Sequence, residues 1–311
     1  MKWNSLQFFE RLTTTSIVAV DIGSAVLKVA EVDPSEEKVI LRRCGVAAVE
    51  GRDYPQALRQ LLADAGVTSR QVVLGIASPE VIVKPFQFPV MPKKELGKAV
   101  RLEAEQAVLS GYALSEMAID WHTLGPSNGS VRGLLAVVPK KVLATRLQVA
   151  KAAGLHPVVV DVESLALWNA YWMLIGRHET EPKTVLLINV GAQTTNLIIA
   201  KGPDHLILVR DIQMGDQSFT KGRENEWKAE VRDSLGYARS ECGLRGLDEV
   251  FVTGGGSSRA VIQSLATVVN APLNSWNPLE QMAFDTEGLS IKKSSGPLLT
   301  IAIGLALRQL S

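Results

Sequence analysis

Ser16-Ile-Val-Ala-Val-Asp21, Ile22-Gly-Ser24 and Val26-Leu-Lys-Val-Ala-Glu-Val32 read as two apolar strands joined by a turn that carries an acid, a glycine and a hydroxyl. The same plan returns at Thr184 to Val190, Gly191-Ala-Gln-Thr-Thr195 and Asn196 to Ala200. An apolar strand, a polar residue, a glycine, a small hydroxylated turn and a second strand, met twice, predict two similar lobes facing each other. Outward from the first hairpin, a strand over Lys38 to Ala48, a helix from Pro55 to Ala65 stopped by Gly66, and a buried strand from Val72 to Ala77 are expected. The Pro-rich passage from Pro79 to Pro92 marks a change of module. A helix over Lys93 to Leu109, strands over Ala118 to Leu124 and Val131 to Val138, and a helix from Val142 to Ala153 then make an inserted α+β unit.

The strand Val158 to Val162 and the helix Glu163 to Ile175 lead into the second hairpin, and a third glycine turn, Thr253-Gly-Gly-Gly-Ser257, follows a strand at Glu249. The last element, Pro297 to Leu310, opens with proline at a helix start and contains Gly304, where another helix could approach closely. The expected division is 1–71 for the start of the first lobe, 72–155 for the inserted module, 156–183 for the return to that lobe, 184–295 for the second lobe and 296–311 for a connecting helix.

Composition narrows the partners. The 311 residues carry 33 basic and 32 acidic side chains, without the concentrated positive charge of a nucleic-acid surface, so no nucleic-acid partner is expected. Cys44 and Cys242 are too few for a disulfide framework or a four-ligand zinc site, which points to a reducing compartment. No apolar run is long enough to cross a membrane. Trp3, Leu6, Phe9 and Leu12 recur at one helical turn and make an amphipathic face that docks on the protein's own body or meets a membrane surface or partner helix. Trp168, Tyr171 and Trp172 read as core, and Lys93, Lys94, Lys98 and Arg101 as a basic helical face that is solvated or else meets phospholipid, an acidic tail or a motor ATPase.

Each glycine turn has a rationale for phosphate: backbone amides at a tight turn or helix N-terminus point at an anion, and the missing Cβ lets it come close. The candidate cofactor-binding residues are Asp21, Gly23 and Ser24 of the first turn; Asn189, Gly191, Thr194 and Thr195 of the second; and Gly254, Gly255, Gly256 and Ser257 of the third. Asp21 is also the candidate metal ligand. No catalytic residue is assigned, and Lys28 faces cleft or solvent according to strand register.

These three motifs in this order resemble the two phosphate motifs and the adenosine motif of the actin-like ATPase superfamily. More narrowly, Val20-Asp-Ile-Gly-Ser-Ala-Val-Leu-Lys-Val-Ala-Glu31, Val160-Asp-Val-Glu-Ser-Leu-Ala-Leu167, Met214-Gly-Asp216 and Leu299-Thr-Ile-Ala-Ile-Gly-Leu-Ala-Leu-Arg308 resemble the type IV pilus assembly protein PilM family, with similarity also to the division protein FtsA. The resemblance implies an α/β, actin-like, two-lobed fold with duplicated mixed sheets and an inserted module in the first lobe. It implies a cytoplasmic adaptor at the inner face of the inner membrane. Such an adaptor binds the short N-terminal tail of a PilN-like membrane protein between first lobe and inserted module and links it to pilus or secretion motor ATPases, as a homo-oligomer or ring. For the tail, Phe86, Phe88, Val90 and Met91 in the loop Phe86 to Pro92 offer apolar surface, or else pack as an internal turn.

ATP and Mg²⁺ are the cofactors that the resemblance implies, and two departures argue against tight binding here. Asn189 stands where the family's second phosphate motif starts with an acid, and a neutral amide is a poorer partner for a hard cation. Only Gln217 to Glu226 separates Asp216 from an expected helix over Trp227 to Cys242, where the family usually has an extra helical subdomain. A shortened second-lobe wall buries less of a nucleotide. The expected function is therefore a scaffold with weak or lost nucleotide binding, and the alternative is a working ATPase or small-molecule kinase on the same fold.

Overall fold

The computed structural model describes residues 16–34, 39–49, 51, 53–108, 112–127, 129–203, 205–284 and 292–308. The amphipathic N-terminal stretch lies outside them. The first lobe opens with β1 (Ile17–Ile22), β2 (Val26–Pro34), β3 (Val39–Ala48), α1 (Tyr54–Asp64) and β4 (Gln71–Ile76). The inserted segment supplies β5 (Ile82–Pro89), α2 (Lys93–Ala107), β6 (Met117–Ser127) and β7 (Ser130–Pro139). After α3 (Lys140–Ala152), β8 (His156–Val162) and α4 (Glu163–Leu174) return to the first lobe. The second lobe holds β9 (Thr184–Val190), β10 (Thr195–Lys201), β11 (Leu206–Ile212), α5 (Gln217–Thr220), α6 (Glu224–Ser240), β12 (Glu249–Thr253), α7 (Arg259–Ala266) and β13 (Leu273–Ser275). The short strand β14 (Ala283–Phe284) and the helix α8 (Gly296–Leu307) complete the described chain.

The two hairpins found by repetition lie at the centres of two sheets with one topology. In the first, β3-β2-β1-β4-β8, the first three strands are antiparallel and β1, β4 and β8 parallel; in the second, β11-β10-β9-β12-β13, the same pattern recurs. This duplicated order is the actin-like fold. Every residue of β1 is buried, as expected of a strand covered on both faces. The apolar helices α4 and α8 pack against each other, with α8 also on β1 and β2 and α4 on β10. A helix apolar on all sides belongs in such an interior.

Several elements differ from the sequence reading. β4 is hydrogen-bonded to β1 and β8, so it belongs to the first sheet and not with the inserted strands. The inserted unit has its own sheet, β5-β7-β6, and its own core of Phe86, Leu96, Val100, Ala104, Met117, Leu135 and Val137. The expected loop at Phe86 is part of β5, which tolerates Pro85 because it is an edge strand with one side unpaired. Strands β11, β13 and β14 were not anticipated, and α6 begins at Glu224. β14 pairs with β3, and Trp276, Leu279 and Met282 enter the first lobe's core, so the chain crosses back before α8.

Candidate functional site

The first two glycine turns and α4's N-terminus meet at the carboxyl ends of the parallel strands, where open α/β sheets present ligand sites. A cleft of about 170 Å³ there is lined by Asp21, Gly23, Ser24, Asn189, Gly191, Thr194, Gly255 and Gly256, all of them expected. Thr195, Gly254 and Ser257 do not line it. Thr195 is fully buried, donating to the Met214 carbonyl at 2.8 Å and accepting from Trp227 Nε1 at 3.0 Å. Gly254, at φ +96°, has the Val190 carbonyl oxygen 2.4 Å from where a Cβ would stand, and Ser257 Oγ donates to the Gly254 carbonyl at 2.7 Å. These three serve the turn's own packing.

Four further groups shape the cleft: Lys28, which the sequence reading left between cleft and solvent, and Glu163, Asp216 and Leu298, which it missed. Lys28 is directly opposite Asp21 across the hairpin, and its Nζ lies 2.9 Å from Asp21 Oδ2. Burial lowers the proton affinity of this ammonium, but Asp21 more than offsets that and the net shift is upward. Asp21 Oδ1 and Asp216 Oδ1 are buried without hydrogen-bond partners. Burial also raises Asp216, against the backbone bond from Gln217.

Glu163 opens α4, and burial, reinforced by the nearby Asp21 charge against the pull of Lys28 and Arg146, pushes its carboxyl up to about 8. Because the unfolded glutamate titrates near 4.5, the folded state takes up a proton between those values. Stability therefore falls as pH rises from about 4.5 to about 8. Glu163→Gln should flatten this slope and be the more stable form at pH 9, by on the order of 3 kcal/mol. Thermal unfolding of both proteins across that range checks it; parallel curves would refute it.

The donor set fits a phosphate better than a divalent cation. Lys28, Ser24 and Thr194 line the cleft, and of its three carboxylates Asp21 is already paired with Lys28 and Glu163, with its carboxyl at about 8, is mostly protonated at neutral pH, which leaves Asp216 as a single acid for a hard cation. Asn189 adds no charge. Two motif amides are engaged within the protein, Gly191 N–H with the Thr194 carbonyl and Gly256 N–H with that of Val190, both at 2.8 Å. The cleft is also smaller than the roughly 300–1,000 Å³ of small-molecule pockets.

On the inserted module, Phe86 is buried, its ring 5.3 Å from Phe88 and edge-on to Trp121 at 6.3 Å. It is core, not contact surface. Val90 is 64% exposed, and Phe88 and Met91 are half-buried. A groove of about 540 Å³ between β5 and β11 was not foreseen.

The family described as type IV pilus assembly protein PilM matches residues 19–231. Among solved structures, a chain of a PilM-PilN type IV pilus biogenesis complex superimposes with a TM-score of 0.79 at 25% identity, over 95% of this chain and 98% of that one. Ethanolamine utilization protein EutJ from Carboxydothermus hydrogenoformans matches with a TM-score of 0.49 at 14% identity, over 97% and 92% of the two chains. The cytoplasmic domain of EpsL, an inner membrane component of the type II secretion system of Vibrio cholerae, matches with a TM-score of 0.49 at 13% identity, over 94% of each. No curated protein matches the sequence. Among the described residues, no helix is long and apolar enough to cross a membrane.

Proposed function

This chain belongs to the type IV pilus assembly protein PilM family, and on that premise we propose that it is a cytoplasmic adaptor that captures the N-terminal tail of a PilN-like membrane protein and links a pilus or secretion platform to its motor. The observation that carries the reading is the likeness, along 95% of the chain, to a chain of a PilM-PilN type IV pilus biogenesis complex. The contact surface proposed on the inserted module is the end of β5 and the turn after it, where Phe88, Val90 and Met91 keep apolar area at the surface. The module's separate core supports this role, because Phe88 and Met91 are anchored on it while keeping part of their area at the surface, and Val90 between them stays free of it.

We propose further that the protein acts without turning over nucleotide. Asp21 is the acid nearest the first phosphate turn, and a carboxylate held by Lys28 at 2.9 Å is a poor general base. Glu163, with its carboxyl at about 8, is mostly protonated at neutral pH and equally unsuited to accept a proton.

Calorimetric titration with a synthetic tail of the partner membrane protein tests the adaptor reading. The wild type should bind, equally with and without Mg-ATP. The variant V90D, at the most exposed of these side chains, should bind at least about tenfold more weakly with an unchanged melting temperature, since one apolar contact of about 1.5–3 kcal/mol at full burial is at stake. No binding by the wild type would sink the adaptor reading; undiminished binding by the variant would move the contact surface elsewhere.

A further inference from the structure

Asn189 ends a row of three polar side chains that crosses the second sheet. It pairs with Asn196 on β10, which pairs with Asp211 on β11. Asn189 Nδ2 donates to Asn196 Oδ1 at 2.8 Å, and Asn196 Nδ2 donates to Asp211 Oδ1 at 2.8 Å. An ionised carboxylate only accepts, whereas a primary amide has one accepting and one donating end. Asp211 therefore obliges Asn196 to turn its NH₂ group outward along the row. The oxygen of Asn196 is left for Asn189, which must give up its own NH₂ to reach it. The Asn189 oxygen then lies on the Gly254 side, where it would stand 2.7 Å from a Cβ at that glycine.

We infer that Asp211, a residue outside the cleft lining, is a positioning residue that decides which end of the Asn189 amide the cleft receives, and so whether that wall offers a ligand oxygen an acceptor or a donor. The inference rests on the reading of the cleft as a ligand site. With the oxygen presented, the wall suits a hydroxyl or water and opposes a phosphate oxygen. A proton taken from solvent by Asp211 supplies a donor at the far end of the row. The order then reverses: Asp211 donates to Asn196 Oδ1, Asn196 Nδ2 to Asn189 Oδ1, and Asn189 Nδ2 turns to the cleft.

The setting brings that proton within reach of mild acid. Burial pushes the Asp211 carboxyl up to about 6, against the bond from Asn196. Of the charged groups on elements packed against β11, Glu163 of α4 interacts with Asp211. Glu230 of α6 is paired with Arg210 at 3.0 Å, and Lys84 of β5 with Glu103.

Side-chain amide NMR of the full chain from pH 8 to pH 5 tests the relay, with the two amide pairs identified by their loss in N189D and N196D. Both pairs should shift with a single midpoint in the wild type, and the Asn189 response should vanish in D211N. An Asn189 pair that stays fixed, or titrates equally in D211N, would overturn the inference. Pyrophosphate binding at pH 8 gives a second readout: D211N should bind about tenfold more tightly than the wild type, the worth of one added bond to a charged group. That gain should disappear when Asn196 is alanine; a gain that persists there is a plain charge effect and overturns the relay. Pyrophosphate bound by no variant would overturn the ligand-site reading instead, while the amide titration still decides the relay.

Discussion

Alanine at Gly304 is expected to lower the unfolding midpoint by roughly 10 °C, and valine to leave no cooperative transition. A Cβ at this position would stand 1.8 Å from the carbonyl oxygen of Ala166 and 2.6 Å from its carbonyl carbon. Both are backbone atoms of α4, so no side-chain rotation relieves the overlap. The two helices would have to part, and α8 also covers β1 and β2, so its displacement opens the core of the first lobe as well. Overpacking of a core costs about 1–3 kcal/mol where side chains adjust; a clash with backbone belongs to the exceptional class of about 4 kcal/mol or more. Gly97 of α2 is the control, because a Cβ there meets nothing within 4 Å. Gly97→Ala should gain about 0.5–1 kcal/mol from helix propensity alone. Scanning calorimetry of both variants checks the pair, and a Gly304→Ala midpoint within 2 °C of the wild type, roughly 1 kcal/mol, would refute the close approach.

The sequence showed where α8 comes close to another helix only because Gly304 interrupts an otherwise bulky apolar run. The hairpins were equally legible, since a strand, a glycine turn and a strand are local. What sequence left open was set by partners distant along the chain. β5 carries Pro85 and Pro89, which read as a loop until β7 is seen pairing on one side and leaving the other free. β11 is written Leu206-Ile-Leu-Val209, a run that suits a helix as well as a strand. Its alternating burial arises from packing on α4 and α6, elements that no local pattern connects to it.

The site divides in the same way. The glycine turns were recognisable as motifs, and most of their residues do line the cleft. Lys28 was undecided because strand register was; once the hairpin register is known, Asp21 and Lys28 are cross-strand neighbours on one face. Glu163 and Asp216 are delivered to the cleft by a strand-to-helix junction and by the turn into α5, respectively. Their chemistry comes from burial, which sequence does not display. Gly254 reads in the sequence as a cofactor-binding glycine, whereas what demands a glycine there is the Val190 carbonyl.

Replacing Arg308 with leucine should cost about 3–5 kcal/mol at neutral pH, more than loss of any exposed ion pair. Arg308 caps α8, and its Nε donates to Asp161 Oδ2 at 3.1 Å, with both side chains at most 4% exposed. The other oxygen, Asp161 Oδ1, accepts from the Val162 amide at 2.8 Å at the start of α4. The pair thus ties the end of one inter-lobe helix to the beginning of the other. Burial raises the Asp161 carboxyl even with the arginine present to oppose it. Without Arg308 the carboxyl should rise further, and its sign fixes the pH dependence. A carboxyl whose folded value lies above its unfolded one destabilises the fold most above the folded value, and the penalty is relieved as pH falls and the buried group becomes neutral. The Arg308→Leu deficit should therefore be larger at pH 8 than at pH 5 in urea unfolding. Adding Asp161→Asn should recover much of it and remove the difference between the two pH values, because an amide keeps the acceptor for Val162 without the charge. A deficit equal at both pH values and untouched by the second substitution would mean that Arg308 stabilises by packing alone, and that the two helices are joined only by their apolar faces.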